Sequence, residues 1–256
     1  MVVTGELLKN CEQWKPSKFV FRNGRLRTSK DTREVSVGSR LMADLVARNY
    51  EEYIARFAKG RLLDLGCGKV PLYEVYKNRV ESATCVDWTN SLHRNQYLDF
   101  ECDLTAPLPI DEMQFETVIL SDVLEHIPEP LSLFNEVRRV LVPYGILIMN
   151  VPFLYWLHEQ PHDYFRYTEF ALRRLAEKAG LLVLDLRAIG GAPEVVADIL
   201  AKTVANFPLI GSACAKLVQA ATGSFVTRGP ARRFSVRTSL SFPLGYFMIA
   251  QRTPAA

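Results

Sequence analysis

Long apolar runs are missing from this chain: none reaches the roughly 18 residues that would suggest a membrane-spanning helix. The five cysteines, at positions 11, 67, 85, 102 and 214, form no Cys-x-x-Cys pair and show no metal-ligand spacing. Free thiols in a reducing, cytoplasmic setting are therefore expected, and a disulfide scaffold or structural zinc site is not. The N-terminal stretch lacks the charged-then-apolar pattern of a secretory leader. Repeats and low-complexity tracts are absent. So is any motif for recognising nucleic acid, and no nucleic-acid partner is expected. Acid is missing from residues 199–256, which hold seven Lys/Arg and no Asp or Glu.

What is present reads as one large globular unit. The chain has 256 residues, 48% hydrophobic and 23% charged, enough to bury a full core. Charge is unevenly spread: residues 1–40 carry nine Lys/Arg against four Asp/Glu, and the middle must be acidic to leave a net +3.

Residues 1–40, with Trp14, Phe19 and Phe21 among basic residues, read either as a partly ordered arm over a ligand site or as a solvated tail. From position 41 to the end a single α/β domain is expected. Apolar residues recur at helical steps from Ser39 to Phe57. The run Arg61-Leu62-Leu63-Asp64-Leu65 then enters Gly66-Cys67-Gly68, as a buried parallel strand does when it turns beneath a ligand. Pro71 opens a helix expected over 72–79. The turn is neither a full G-x-G-x-x-G, because Val70 and Pro71 hold the later positions, nor a phosphate-binding loop, because no Ser or Thr follows Lys69. Residues 83–87 form a second short strand ending in Asp87, at the spacing of a ribose-binding carboxylate. Further strands are expected over 97–103, 115–120, 146–151 and 181–189, and a last strand or hairpin arm over 240–252. Helices are expected over 131–141 and 168–179, and in part of a less regular stretch, 190–240.

Strand ends that present a glycine turn, an acid, a second acid and a polar loop define a doubly wound α/β sheet with its ligand at the carboxyl edge. In these residues the chain resembles the class I S-adenosylmethionine-dependent methyltransferases, small-molecule or glycan branch. The match covers Leu62 to Ile189. Leu63 to Gly68 match the first motif, Asp87 the ribose acid, Asp103-Leu104 the adenine-side motif, and 115–126 and 141–151 the fourth- and fifth-strand blocks. The resemblance implies a Rossmann-like sheet of seven strands, the last antiparallel, preceded by an N-terminal arm and helix and carrying a helical insert, 190–240, before the last strand. It also implies S-adenosyl-L-methionine as cofactor, held by Asp64, Gly66, Cys67, Gly68, Asp87, Trp88, Asp103, Leu104, Ser121 and His126. Many members of the family have a third glycine at Val70, whose Cβ is expected to narrow the pocket.

Methyl transfer leaves the protein mainly to align the acceptor and take up a proton. His162 and His158 are the candidate bases, with Asp163 orienting an imidazole. Tyr155, Trp156, Tyr164 and Arg166 are the candidate lining of the acceptor pocket. No metal is the simpler expectation, although Asp122, Glu125 and His126, completed by His158 or His162, could hold a divalent ion. O-methylation of a small molecule, sugar or glycan precursor is the expected reaction. The alternatives are a catalytically silent cofactor-binding protein and, more distantly, a nicotinamide dehydrogenase. The acid-free C-terminal stretch is expected to pack on the sheet or in a homodimer, or to rest on an anionic membrane.

Overall fold

The computed structural model describes residues 7–88 and 96–254. Residues 1–6 of the expected arm lie outside them.

The basic N-terminal stretch contains an antiparallel hairpin, β1 (Phe19–Arg22) and β2 (Arg25–Thr28). Its two-residue turn is Asn23-Gly24, with φ of 52° and 71°. Left-handed residues at both central positions match the right-handed twist of the strands they join. Phe19 and Leu26 bury one face of the hairpin in the core, and the Thr28 amide donates to Asp44 Oδ1 at 2.7 Å. The hairpin is thereby fixed to α1 (Arg40–Phe57), whose buried residues include Met42, Val46, Tyr50, Tyr53 and Ile54.

A seven-stranded sheet follows, in spatial order β5-β4-β3-β6-β7-β9-β8. Its elements in chain order are β3 (Arg61–Leu65), α2 (Tyr73–Tyr76), β4 (Ser82–Asp87), β5 (Phe100–Glu101), β6 (Phe115–Ser121), α3 (Pro130–Val140), β7 (Leu141–Pro152), α4 (Glu169–Lys178), β8 (Leu181–Ile189), α5 (Ala192–Ala205), α6 (Gly211–Phe225), α7 (Gly229–Thr238) and β9 (Gly245–Arg252). β9 runs antiparallel to both β7 and β8, and the other pairings of this sheet are parallel. Alternate side chains feed two cores, as the two-residue period of a strand requires. Leu62, Ile119, Ile148 and Phe247 pack under α1, while Leu63, Leu65, Val118, Leu120 and Met149 pack under α3 and α4.

Three expectations change. The helix expected over 72–79 is one turn, Tyr73–Tyr76, held by burial of Tyr73, Val75 and Tyr76. A helix so short adds little dipole to the site. The strand expected over 97–103 pairs only at 100–101, because the Asp99 carboxylate takes the Cys85 amide at 2.7 Å in place of a ladder bond. Val70 does not narrow the pocket. It sits at φ 51°, and its side chain turns fully into the core beneath α1.

Candidate functional site

The carboxyl ends of β3, β4 and β6 open on a cavity of about 470 Å³. The glycine turn makes its floor: the amides of Gly66 and Cys67 donate to the Val86 carbonyl at 2.8 and 3.1 Å, so the chain folds back under the end of β4. Gly66 has φ 69°, and a Cβ there would stand 2.4 Å from Cγ2 of Val123. The position demands glycine on both counts. Asp87 receives the Gly68 amide at 3.1 Å and the Trp88 amide at 2.9 Å. Asp64 is buried in the same wall. Burial, then the charge of Asp87, pushes its carboxyl up to about 7.

All ten residues expected to hold the cofactor line this one cavity. Ser121 donates to Asn150 Oδ1 at 3.2 Å, and Asp103 Oδ1 accepts the amide and hydroxyl of Thr105, both at 2.8 Å. The cavity also includes Lys69, and Ser17, Lys18 and Glu34, which the sequence reading did not single out. Lys69 pairs with Glu34 at 2.7 Å and Lys18 with Asp122 at 2.7 Å. The Asn-Gly pair at 23–24 was the available sign that the stretch holding Lys18 is folded.

A second cavity, of about 270 Å³, adjoins the first. Lys18, Glu34, Asp122 and Glu159 line both. Tyr155, Trp156, Glu125 and His158 also line the smaller one, with α1 residues Met42, Ala43 and Val46. The two candidate bases therefore separate. The His162 ring stands edge-on to Trp88 in the wall of the larger cavity, with Nδ1 3.3 Å from the Tyr164 hydroxyl. His158 belongs to the smaller cavity, with Nδ1 3.3 Å from the Trp156 carbonyl, and it is His158, not His162, that Asp163 adjoins. Asp163 Oδ2 accepts the His158 amide at 2.9 Å and lies 3.4 Å from His158 Nδ1. Arg166 grips both oxygens of Asp163, at 2.6 and 2.7 Å, and holds its carboxyl down at about 2. Arg166 thus braces the acid and is not among the residues lining either cavity.

Behind His158 lies Glu125, fully buried, with neither carboxylate oxygen hydrogen-bonded. Its Oε1 is 3.6 Å from His158 Nε2 and 3.8 Å from His126 Nε2. Burial would push the His158 imidazole down, but the nearby carboxylates of Glu125, Asp163 and Asp122 raise it above its ordinary value. Burial likewise pushes the Glu125 carboxyl up. His126 Nδ1 lies 2.7 Å from the His162 carbonyl, which leaves Nε2 as the buried, unpartnered atom. Glu125, His126 and His158 each present a ligand atom within 4.8 Å of the others. Asp122 is not in this cluster; it is held by Lys18 and by Asn150 Nδ2.

The lining suits S-adenosylmethionine: buried acids end two adjacent strands, Trp88, Leu104 and Ile127 offer apolar faces, and the glycine turn has no side chain to fill the floor. Comparison with known proteins agrees. Residues 63–149 match a family model described as a methyltransferase domain. The ubiquinone biosynthesis O-methyltransferase of Coxiella burnetii is 27% identical over 158 residues, 51% of this chain and 68% of that protein. A SAM-dependent methyltransferase from Archaeoglobus fulgidus superposes with a TM-score of 0.54 at 16% identity, over 81% of this chain and 93% of that one. The [4+2]-cyclase SpnF shares the fold at TM-score 0.51 and 21% identity, over 82% of each chain. The glycine turn and the acids around it lie within residues 63–149, a methyltransferase domain of the S-adenosylmethionine-dependent kind.

Proposed function

We propose that this enzyme methylates an oxygen of a small-molecule, sugar or glycan-precursor acceptor, with the cofactor in the larger cavity and the acceptor in the smaller one. The observation that carries the reading is the pairing of the two cavities, with His158 in the smaller. When bound, the cofactor supplies an electrophilic methyl group. The His158 imidazole takes up the proton of the acceptor hydroxyl, the carboxylates of Glu125 and Asp163 near its two nitrogens stabilise the imidazolium, and Arg166 fixes Asp163. Tyr155 and Trp156 offer aromatic faces of the kind that pack on sugar rings or apolar groups. Trp88 and Tyr164, with His162 between them, belong to the cofactor side. The relative named for O-methylation in ubiquinone biosynthesis supports oxygen as the accepting atom.

The test is release of S-adenosylhomocysteine from purified protein offered panels of phenols, sugars and lipid-linked sugars. His158→Ala should abolish it while calorimetry still shows cofactor binding. Turnover that persists in that variant would remove His158 from the chemistry.

One observation favours a second reading: the buried, unbonded carboxylate of Glu125 facing His126 Nε2 and His158 Nε2. Two nitrogens and an oxygen at this spacing suit a divalent ion with open positions for acceptor oxygens. Metal analysis of purified protein, and activity after dialysis against a chelator, decide between the readings. Full activity without metal supports His158 as the base. Loss restored by added zinc, manganese or magnesium supports a metal-held acceptor.

A further inference from the structure

The helices inserted between β8 and β9 carry a surface that methyl transfer does not use. α5 is apolar on both sides. Its inward face mixes Val195, Ala197 and Ala201 with the buried polar Glu194, Asp198 and Lys202, while its outward face holds Val196 and Ile199, 62% and 60% exposed, and Leu200. The inward polar groups are partnered: Glu194 accepts the Gly191 amide at 3.0 Å and the Ser235 hydroxyl at 2.7 Å, and Lys202 pairs with Asp198. Such a network fixes the helix rotation, so the apolar stripe must face outward.

The stripe runs on into the turn between α5 and α6. Phe207 and Ile210 are exposed, and Leu209, at φ 66°, projects fully from the surface at 103%. The charged residues that follow it in the insert are all positive. Lys216, Arg228, Arg232, Arg233 and Arg237 are all exposed, and no Asp or Glu follows Asp198 in the sequence.

We propose that this face docks on an anionic lipid surface. The Phe207-Pro208-Leu209-Ile210 turn enters the boundary between headgroups and acyl chains, and the arginines of α7 meet the acidic headgroups. Charge selects this occupant. A second copy would bring two sets of exposed cations together with no carboxylate from residue 199 onward to meet them, and like charges in an interface cost affinity. A projecting turn also suits a surface that deforms around it. No helix among the described residues is long and apolar enough to cross a membrane, so the contact is with the surface. The same α5 packs on a wall residue of the smaller cavity, where the Lys202 ammonium stands 3.4 Å from the centre of the Tyr155 ring. Docking therefore suits an acceptor carried on a lipid, and this last step alone rests on the acceptor reading above.

The experiment is co-sedimentation of the full chain with phosphatidylcholine vesicles, and with phosphatidylcholine vesicles containing phosphatidylglycerol. Partition into the anionic vesicles should exceed that into neutral ones by about tenfold or more and weaken as salt rises. The double variants Phe207→Ser/Leu209→Ser and Arg232→Glu/Arg233→Glu should each lose about tenfold while keeping native circular dichroism and cofactor binding. Equal binding to both vesicles, no binding at low salt, or unchanged binding by folded variants would overturn the proposal. So would a dimer in sedimentation velocity that the Phe207/Leu209 variant dissolves, since the face would then join two copies. An enzyme that binds vesicles but methylates no candidate acceptor would sink the acceptor reading and leave the docking face standing.

Discussion

The Lys18 ammonium lies 2.7 Å from Asp122 Oδ2, and this pair forms part of the wall shared by the two cavities. The residues are 104 positions apart. Burial works against the charge on Lys18, but the charge and hydrogen bond of Asp122 outweigh it and raise the ammonium above its ordinary value. Asp122 is itself placed by a left-handed backbone at φ 52° and by Asn150. Lys18→Met removes the cation and leaves the acid in place. A charge-assisted hydrogen bond contributes about 1.5 kcal/mol, so kcat/KM for the acceptor should fall about tenfold. Lys18→Arg should restore much of it, and steady-state kinetics with cofactor calorimetry would separate the two cavities. Equal losses in acceptor turnover and cofactor affinity would mean that the pair merely holds the hairpin down.

The split between the histidines gives a second prediction. His158→Ala should lower kcat by about 100-fold or more, as loss of a positioned base does, with cofactor affinity nearly unchanged. His162→Ala should do the reverse, weakening cofactor binding through loss of its contact with Trp88 and sparing kcat at saturation. Asp163→Asn should follow His158→Ala, because its carboxylate adjoins that imidazole. A result in which His162→Ala alone stops turnover would overturn the assignment.

The cofactor half of the site was legible because each of its residues ends or follows a strand at a fixed distance along the chain. Gly66, Gly68 and Asp87 need only the strand–turn–strand reading to come together. The acceptor half was not. Pairing Asp163 with His158 and not with His162 depends on how the 153–167 loop folds, and its residues have no period to read. That Asp122 stands apart from Glu125 and His126 was hidden for a similar reason: Lys18, distant in sequence, takes that carboxylate. α5 was hard to read because apolar residues lie on both its faces and charged ones on its buried face, so the usual link between periodicity and burial is weakened. The hairpin was marked by Asn23-Gly24, but its strands carry Arg22, Arg25 and Arg27, which hide the alternation.

Gly66 supports a direct test of the turn. Alanine there must adopt φ 69° and bring its Cβ onto Val123. The left-handed backbone alone costs roughly 1–2 kcal/mol, and the contact adds to it. Gly66→Ala should therefore lower stability to urea by at least about 1 kcal/mol and weaken cofactor binding. Unchanged stability would show that β6 and Val123 yield more readily than the packed strand ends suggest.

Asp64 predicts an unusual pH dependence. Its carboxyl is pushed up to about 7 in the folded chain, by burial and then by Asp87, against an ordinary value of 3.8. The folded protein therefore keeps a proton that the unfolded chain releases near pH 4. Protein without cofactor loses stability from this group as pH rises from about 4 to 7, by something on the order of a few kcal/mol. Asp64→Asn carries no such proton. Its melting temperature should match the parent's near pH 4 and exceed it above pH 7, read by scanning fluorimetry across that range. The cofactor's positive groups favour the ionised acid, so binding to the parent near pH 6 should release protons, seen as a buffer-dependent heat in calorimetry, and binding to Asp64→Asn should release fewer. A variant destabilised equally at every pH would show that Asp64 is ionised throughout and held by partners other than burial.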